Sequence, residues 1–282
     1  MDIIGLNKKY GKLKALDNVT INGIKGVHGL VGENGAGKTT LMRIVATILE
    51  KDSGSIVYNG LTWEEVGKVR NIIGYLPQKF GMYHQLTVKD ALEHVAILKK
   101  IKGNPEDECR KVINLVNLSD KADAKVGTLS GGMVRRLGIA QAILGNPEIL
   151  IVDEPTSGLD PEERMRFKLL LKKLGDRMTV LFSTHIIDDI TDVCDRVTVM
   201  HKGKVVLTGT ADEMIDKARG NLWEIYLTEE RTGEEYDGII TDCRNIDGIF
   251  RTRIVCCKKP CEAAVQVEPT LEESYIYLLH ME

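Results

Sequence analysis

One segment constrains the fold of this 282-residue chain more than any other, the glycine-rich stretch at residues 32–39. Its spacing, G-x-x-x-x-G-K-[ST], predicts a loop whose glycines turn freely and whose backbone N–H groups face an anion at a helix N-terminus. Apolar residues at 27–31 predict a buried strand before the loop, and residues 40–45 predict a helix after it. This context predicts a phosphate-binding loop, in which Lys38 reaches the outer phosphates and the Thr39 hydroxyl binds Mg²⁺. The residues expected to contact nucleotide here are Gly32, Glu33, Asn34, Gly35, Ala36, Gly37, Lys38, Thr39 and Thr40.

Composition excludes several other classes of protein. With 43% hydrophobic and 28% charged residues, the chain has the make-up of an ordinary soluble domain. A net charge of −3 gives no support for a general nucleic-acid binder, and no apolar run approaches the roughly 18 residues of a membrane span. The first ten residues lack the apolar core of a secretory signal, so the six cysteines are expected as free thiols in a reducing cytoplasm.

The balance of acidic and basic residues changes near residue 220. Residues 221–282 hold 13 acidic and 6 basic side chains, a balance of −7, which leaves 28 acidic and 32 basic, a balance of +4, in residues 1–220. All the nucleotide-related motifs lie before this change. We therefore expect a nucleotide-binding domain over residues 1–220 and a small accessory domain over residues 221–282.

Hydrophobic periodicity predicts an α/β fold. The first 25 residues favour a short antiparallel sheet, and Asn59-Gly60 is typical of a hairpin turn. Strands buried on both faces of a parallel sheet are expected from the apolar runs at 149–152, 179–182 and 197–200.

Between these strands, helical spacing from 88 to 118 predicts a helical insert, taken as about residues 79–145, and alternation at 222–227 predicts a strand in the tail. The expected architecture is a P-loop NTPase core with a mostly parallel sheet, an N-terminal antiparallel β subdomain, the helical insert and a small C-terminal α+β extension.

A second nucleotide signal follows the apolar run at 149–152. Two carboxylates, Asp153 and Glu154, stand where this strand ends. Beside a phosphate-binding loop, Asp153 is expected to hold Mg²⁺ and Glu154 to polarise a water for attack on the γ-phosphate. Taken alone, the pair is also typical of a strand end capped by solvated acids.

A third signal opens a helix at residues 130–137. Ser130 is a natural N-cap, and Gly131 and Gly132 allow backbone N–H groups to approach an anion at the helix N-terminus. Alone, this pattern is an ordinary helix start. Its position 23 residues before Asp153 makes it more specific.

Together these segments resemble the ATP-binding subunit of ATP-binding cassette (ABC) transporters over about residues 1–218. The motifs occur in the order of that family: residues 32–39, 74–78, 129–133, 152–155, 157–161 and 183–185. The resemblance implies ATP and Mg²⁺ as ligands and ATP hydrolysis as the reaction. The end of the chain, residues 268–279, resembles ATPases that serve ABC-2-type exporters, which implies export.

The resemblance also implies roles for individual side chains. Gln78 resembles the glutamine that contacts Mg²⁺ or the attacking water and reports nucleotide state to the membrane partner. His185 resembles the histidine that contacts the γ-phosphate, and its position after an apolar strand matches the family. Tyr10 resembles the aromatic residue that stacks on adenine.

Assembly is implied in the same way. Ser130, Gly131 and Gly132 resemble the signature segment that binds the γ-phosphate held by an opposite subunit, and Asp160 resembles the aspartate at the dimer seam. Because the chain has one copy of each motif, the resemblance implies a homodimer, or a pair with a second ATPase subunit, with two ATP molecules in the seam.

The implied partner is a separate transmembrane permease, with this chain peripheral on the cytoplasmic face of the membrane and with no nucleic acid bound. An alternative is a soluble ABC ATPase acting on ribosomes or DNA. That class usually has two cassettes or a coiled-coil insertion, and neither is visible in this sequence. A non-hydrolysing nucleotide sensor is a third possibility, against which Glu154, Gln78 and His185 argue.

Three features fit the family less directly. Met133 stands where the signature usually has glutamine, which leaves contacts to the sugar or to the partner in doubt. Aromatic residues and methionine at 80–83 suit a groove for a partner helix as well as ordinary packing. Four tail cysteines raise the possibility of a zinc site, although they lack paired C-x-x-C spacing and half-buried thiols are the simpler interpretation. These cysteines are Cys243, Cys256, Cys257 and Cys261.

Overall fold

A computed structural model of the chain describes residues 1–101, 103–191, 193–228 and 237–280. The chain divides into two compact units, Met1–Val205 and Val206–Glu282. This boundary lies before residue 220, where the charge changes, because the helix at 211–218 packs against the C-terminal helix within the second unit. Within the described residues, no helix is long and apolar enough to cross a bilayer.

The first unit contains both strands and helices. Its strands are β1 (Asp2–Tyr10), β2 (Leu13–Ile21), β3 (Val27–Val31), β4 (Ser53–Tyr58), β5 (Leu61–Thr62), β6 (Ile73–Leu76), β7 (Ile149–Val152), β8 (Thr179–Thr184), β9 (Arg196–His201) and β10 (Lys204–Gly209), the last of which runs into the second unit. Its helices are α1 (Lys38–Val45), α2 (Val66–Ile72), α3 (Val88–Leu98), α4 (Pro105–Leu115), α5 (Gly131–Ile143) and α6 (Pro161–Gly175). Short 3₁₀ turns occupy Ser119–Lys121, Val126–Thr128 and Ile187–Asp189.

The N-terminal antiparallel sheet is present as expected. Its strand order is β2-β1-β4-β5, and β4 returns through the turn at Asn59-Gly60 to pair with β5. Ile3, Leu6 and Ile56 are fully buried and pack with α1 in one apolar core. Burial of these side chains, worth about 2 kcal/mol each, attaches the sheet to the rest of the unit.

The central sheet has six strands in the order β10-β9-β3-β8-β7-β6. The pairs β3–β8, β3–β9, β7–β8 and β6–β7 are parallel, as the apolar runs predict. All residues of β3, β7 and β8 are buried, because helices cover both faces. Since parallel strands end at one edge, the segments that follow β3, β7 and β8 meet there, which is where ligands bind in such sheets.

The helical insert contains α3, α4 and α5. Thr87 and Asn104 cap α3 and α4 by accepting hydrogen bonds from the backbone N–H groups of Asp90 and Glu106. Ser130 caps α5 in the same way, with its Oγ 3.3 Å from Met133 N. Each cap satisfies an otherwise unpaired donor and stabilises its helix by about 1 kcal/mol.

The second unit is an α+β extension, as expected. Its elements are α7 (Ala211–Ala218), β11 (Leu222–Leu227), β12 (Ile239–Ile246), β13 (Ile249–Val255), β14 (Val265–Gln266) and α8 (Leu271–His280). The strands form an antiparallel sheet in the order β12-β13-β11-β14. Thr210 and Glu213 form a reciprocal capping box at the start of α7.

The tail cysteines do not share one environment. Cys256 is buried, Cys261 is half-buried, and Cys243 and Cys257 are exposed. Cys256 and Cys261 belong to a small apolar cluster with Ile225. Among the described residues, no group of three or more His, Cys, Asp or Glu side chains is arranged to hold a metal ion.

Candidate functional site

The glycine-rich segment forms the loop between β3 and α1. Gly37 has φ of 103°, and a Cβ there would lie 2.5 Å from the Ala15 carbonyl oxygen, so this position requires glycine. Helix α1 begins at Lys38. The buried Lys38 ammonium donates hydrogen bonds to the carbonyl oxygens of Gly32 (2.6 Å) and Glu33 (3.0 Å), so the loop curls around its own cation.

Two carboxylates follow β7, and the end of β8 holds them in place. The Ser183 hydroxyl donates to Asp153 Oδ1 at 2.6 Å and accepts from the Glu154 N–H at 2.9 Å. Asp153 is 1% exposed and Glu154 is 6% exposed. The backbone of Glu154 has φ of 44°, an uncommon conformation for a residue with a side chain. Strained positions of this kind cluster at functional sites.

Side chains from three other segments converge on the Glu154 carboxylate. Lys38 Nζ lies 3.5 Å from Oε1, and Gln78 Nε2 donates to Oε2 at 3.1 Å. His185 Nδ1 lies 3.4 Å from Oε2. The structure thus brings together the loop cation, the acid after β7, the glutamine after β6 and the histidine after β8.

Burial opposes ionisation of the charged groups in this site. It lowers the pKa of Lys38, although Glu154 and Asp153 partly offset the effect. It also raises the pKa of Asp153, against the hydrogen bonds from Ser183 and Thr39. Buried charges of this kind are costly unless each has a counter-charge. The arrangement therefore suits a bound polyanion beside Lys38 and a cation beside Asp153.

Two of the three residues expected to contact Mg²⁺, Thr39 and Asp153, fit such an ion, whereas the amide N–H₂ of the third, Gln78, donates to Glu154. Thr39 Oγ1 lies 3.4 Å from Asp153 Oδ1, at the long end of hydrogen-bonding distance. Asp153 Oδ2 is buried and has no hydrogen-bond partner in the described structure. A buried carboxylate oxygen without a donor, next to a hydroxyl, is the oxygen chemistry that Mg²⁺ prefers.

A cleft of about 400 Å³ opens over the loop. Tyr10, 46% exposed, lies on its wall, where an aromatic residue is expected to stack on a base. Gln78 and Glu154 line the same cleft. Among the residues expected to bind nucleotide, it is also lined by Asn34, Gly35, Gly37, Lys38, Thr39 and Thr40. Ala36 is buried beside it at 3% exposure.

Gly32 and Glu33 do not line the cleft, and their carbonyl oxygens accept hydrogen bonds from Lys38. The other four expected nucleotide ligands lie elsewhere on the first unit. Within the part of the chain that the structure describes, Ser130, Gly131, Gly132 and Asp160 do not line the cleft. They occupy the starts of α5 and α6, where Ser130 and Asp160 are the N-caps. A single copy of the chain therefore brings most of the predicted residues of the glycine-rich loop together at the cleft and leaves those at the starts of α5 and α6 outside it.

Several residues in and around the site were not anticipated. Lys14 and Lys202 line the cleft, and the Arg135 guanidinium donates to the Gln78 carbonyl at 2.6 Å. Ser183 bridges Asp153 and Glu154. Of these, Ser183 was within reach of sequence reasoning, because it stands two residues before His185 in the same motif. The others depend on long-range packing.

Comparison with known proteins identifies the family to which the chain is similar. The family model described as ABC transporter matches residues 18–157. The uncharacterized ABC transporter ATP-binding protein YdbJ of Bacillus subtilis is 40% identical over 77% of this chain and 72% of its own length. The linearmycin resistance ATP-binding protein LnrL of Bacillus subtilis is 33% identical over 77% and 71%. The methionine import ATP-binding protein MetN 2 of Paraburkholderia xenovorans is 40% identical over 69% and 53%.

Solved structures show the same fold. The dimeric structure of the bacterial ABC transporter cassette MJ0796 matches with a TM-score of 0.66 at 27% identity, over 74% of this chain and 97% of that chain. The same cassette in a post-hydrolysis state with ADP and Pi gives a TM-score of 0.65 over the same shares.

Proposed function

This chain belongs to the family of ABC transporter ATP-binding proteins, which are ATPases, and we propose that it binds MgATP and hydrolyses it to power export through a separate membrane subunit. The observation that carries the proposal is the convergence of Lys38, Gln78 and His185 on the Glu154 carboxylate at the end of β7. These groups come from four separate segments, so their meeting is a property of the fold and not of one local motif.

The proposed chemistry follows from the contacts of Glu154. Its carboxylate is held by the Gln78 amide and lies against the Lys38 ammonium, so it is oriented toward the cleft as a proton acceptor for an attacking water. With nucleotide bound, the Lys38 ammonium would leave Glu154 and contact the β- and γ-phosphates instead. His185 would stabilise negative charge on the γ-phosphate. Thr39 and Asp153 would hold Mg²⁺, which supplies charge neutralisation on the phosphate oxygens.

The test compares Glu154→Gln with the wild type. Glutamine keeps the shape of the side chain but accepts protons poorly, so we expect ATP hydrolysis to fall by about 100-fold or more while ATP affinity is retained. Glu50→Gln, an exposed carboxylate away from the cleft, is the matched control and should hydrolyse ATP normally. Wild-type turnover by Glu154→Gln would contradict the proposed role.

We also propose that two subunits share each ATP. Ser130, Gly131 and Gly132 lie outside the cleft of their own chain, and Gly131 is exposed at the start of α5. A helix N-terminus with exposed N–H groups is suited to a phosphate presented by another molecule. The similar cassette MJ0796 has a dimeric structure, which supports the same arrangement here.

The membrane partner is proposed from the family and from one surface. Tyr83 is 69% exposed and lies edge-on to the His94 ring, five residues beyond Gln78. An exposed aromatic near the site suits a protein contact. The name of LnrL, a resistance protein, favours export, and so does the resemblance of residues 268–279 to ATPases that serve ABC-2-type exporters. The name of MetN 2 refers to import.

Affinity purification of the chain from native membranes tests the partner and the location. A multispanning membrane protein should co-purify, with this chain released from the cytoplasmic face once that contact is broken. Recovery with ribosomes or DNA instead would favour the alternative class of ABC ATPase. Transport of substrate into inverted vesicles that depends on ATP would support export.

A further inference from the structure

A buried acid beside the site has no part in the chemistry described so far. Asp189 closes the 3₁₀ turn Ile187–Asp189, and its side chain is fully buried. Its sequence neighbour Asp188 is exposed. A carboxylate without access to water is costly unless several donors surround it, so this position is specified by its contacts.

Three donors satisfy the Asp189 carboxylate. The hydroxyls of Thr156 and Thr184 donate to Oδ2 at 2.5 Å and 2.8 Å. Arg164 Nε donates to Oδ1 at 2.5 Å, which completes an ion pair between a half-buried guanidinium and the fully buried carboxylate. Short hydrogen bonds to a charged acceptor in a dry environment are strong and directional, so the four side chains form one rigid unit.

Each donor belongs to a different segment of the proposed site. Thr156 is two residues after Glu154, and Thr184 immediately precedes His185. Arg164 lies in the first turn of α6, where its backbone N–H donates to the Asp160 carbonyl at 2.9 Å. The carboxylate of Asp189 therefore joins the segments that present the acid, the histidine and the expected seam aspartate.

We propose that Asp189 is a positioning residue that fixes Glu154 and His185 relative to each other and to Asp160. Asp189 does not line the cleft and would act through Thr156, Thr184 and Arg164. The inference rests on the proposed function, because it assumes that Glu154 and His185 carry out hydrolysis. Misplacement of such groups by a fraction of an ångström lowers rate strongly, whereas ATP binding at Lys38 and Thr39 is left intact.

The test variant is Asp189→Asn, with Asp188→Asn as the matched exposed control. Asparagine keeps the size of the side chain but loses the charge and adds an N–H₂ group facing two threonine hydroxyls and an arginine. We expect kcat, normalised to the ATP-binding fraction of the protein, to fall about 10-fold or more, with the Kd for MgATP within twofold of wild type. Asp188→Asn should match the wild type in both quantities.

Milder variants keep the test informative if Asp189→Asn fails to fold. Thr156→Val and Thr184→Val each remove one donor, and each should lower kcat several-fold at unchanged Kd. In the double variant Asp189→Asn/Thr184→Val, kcat should be no lower than in Asp189→Asn alone, because both changes break the same contact. The proposal would be overturned if the losses in kcat from Asp189→Asn and Thr184→Val added fully in the double variant. Wild-type kcat in both threonine variants would overturn it as well.

Glu154→Gln, measured alongside, separates failure of the proposed site from failure of the positioning role of Asp189. If Glu154→Gln hydrolyses ATP normally, the proposed site is wrong. If Glu154→Gln is inactive while Asp189→Asn turns over at the wild-type rate, the site stands and the positioning role of Asp189 is rejected.

Discussion

At the scale of one residue, the strand before the glycine-rich loop contains a buried histidine whose ring is kept uncharged by its surroundings. His28 in β3 is fully buried, with Nε2 2.8 Å from Thr198 Oγ1. Its Nδ1 is buried and has no hydrogen-bond partner in the described structure. Burial, together with the nearby Arg196, lowers the pKa of His28 to about 4. The folded protein therefore contains the neutral ring.

This pKa sets a dependence of stability on pH. Between pH 6.5 and about 4 the unfolded chain binds a proton at His28 and the folded chain does not, so the free energy of unfolding decreases as the pH falls through this window. From the size of the shift, we expect a loss of about 3 kcal/mol from this residue. Urea unfolding at pH 7, 5.5 and 4.5 measures it.

The matched variants are His28→Gln and His84→Gln. Glutamine at 28 does not titrate and can still pair with Thr198, so its unfolding free energy should fall less steeply between pH 6.5 and 4 than that of the wild type. His84 is exposed, and its replacement should leave the slope unchanged. Equal slopes for wild type and His28→Gln would show that the ring titrates normally in the fold.

At the scale of elements, one lysine joins two helices of the insert. Lys99 is the C-cap of α3, and its ammonium donates to the carbonyl oxygens of Gln141 (3.0 Å), Ala142 (3.2 Å) and Leu144 (2.8 Å) at the end of α5. Carbonyls at a helix C-terminus lack partners within the helix, and a cation there is favoured by the helix dipole. The contact secures the helix whose opposite end carries Ser130 and Gly131.

Replacing this cation is expected to loosen the insert. Lys99→Met keeps the aliphatic part of the side chain but leaves the α5 carbonyls without their donor. We expect the free energy of unfolding to fall by about 2 kcal/mol, the range for hydrogen bonds to charged groups. Lys100→Met, at the exposed neighbour, should change it by less than about 0.5 kcal/mol. Similar values for both variants in urea unfolding would mean that solvent replaces the ammonium.

The elements also show which parts of the fold the sequence could predict. Strands β7, β8 and β9 were identified because burial on both faces produces unbroken apolar runs, and the turn at Asn59-Gly60 identified β4 and β5. Helix α2 was missed, since it has seven residues and no side-chain cap. Strand β12 was missed because it is half-exposed or exposed along its whole length, so little hydrophobic alternation marks it.

Site residues likewise differ in whether a local sequence pattern marks them. A fixed local motif after a strand predicts Lys38, Asp153, Glu154 and His185 as site residues. Asp189 gave no such signal: its role depends on contacts with Thr156 and Arg164, which lie 33 and 25 residues away along the chain. Long-range polar contacts of this kind have no local spacing, so a single sequence does not reveal them.

At the scale of the whole molecule, the largest consequence follows from the proposal that two subunits share each ATP. Gly131 and Gly132 are adjacent at the start of α5 but differ in surroundings. A Cβ on Gly132 would clash with Glu163 Oε2, whereas a Cβ on Gly131 would meet no atom within 4 Å. Gly131 is therefore a position where a methyl group tests assembly without disturbing the fold of the subunit.

In the Glu154→Gln background, where ATP should remain bound, MgATP is expected to convert the protein from monomer to dimer. Adding Gly131→Ala places a methyl group where we expect the partner's γ-phosphate. Crowding at this contact should weaken ATP-dependent dimerisation by about 10-fold or more. The thermal midpoint of the monomer should not decrease, because alanine is a better helix former than glycine. Sedimentation velocity with and without MgATP measures the dimer, and unchanged dimerisation by Gly131→Ala would place the shared phosphate elsewhere.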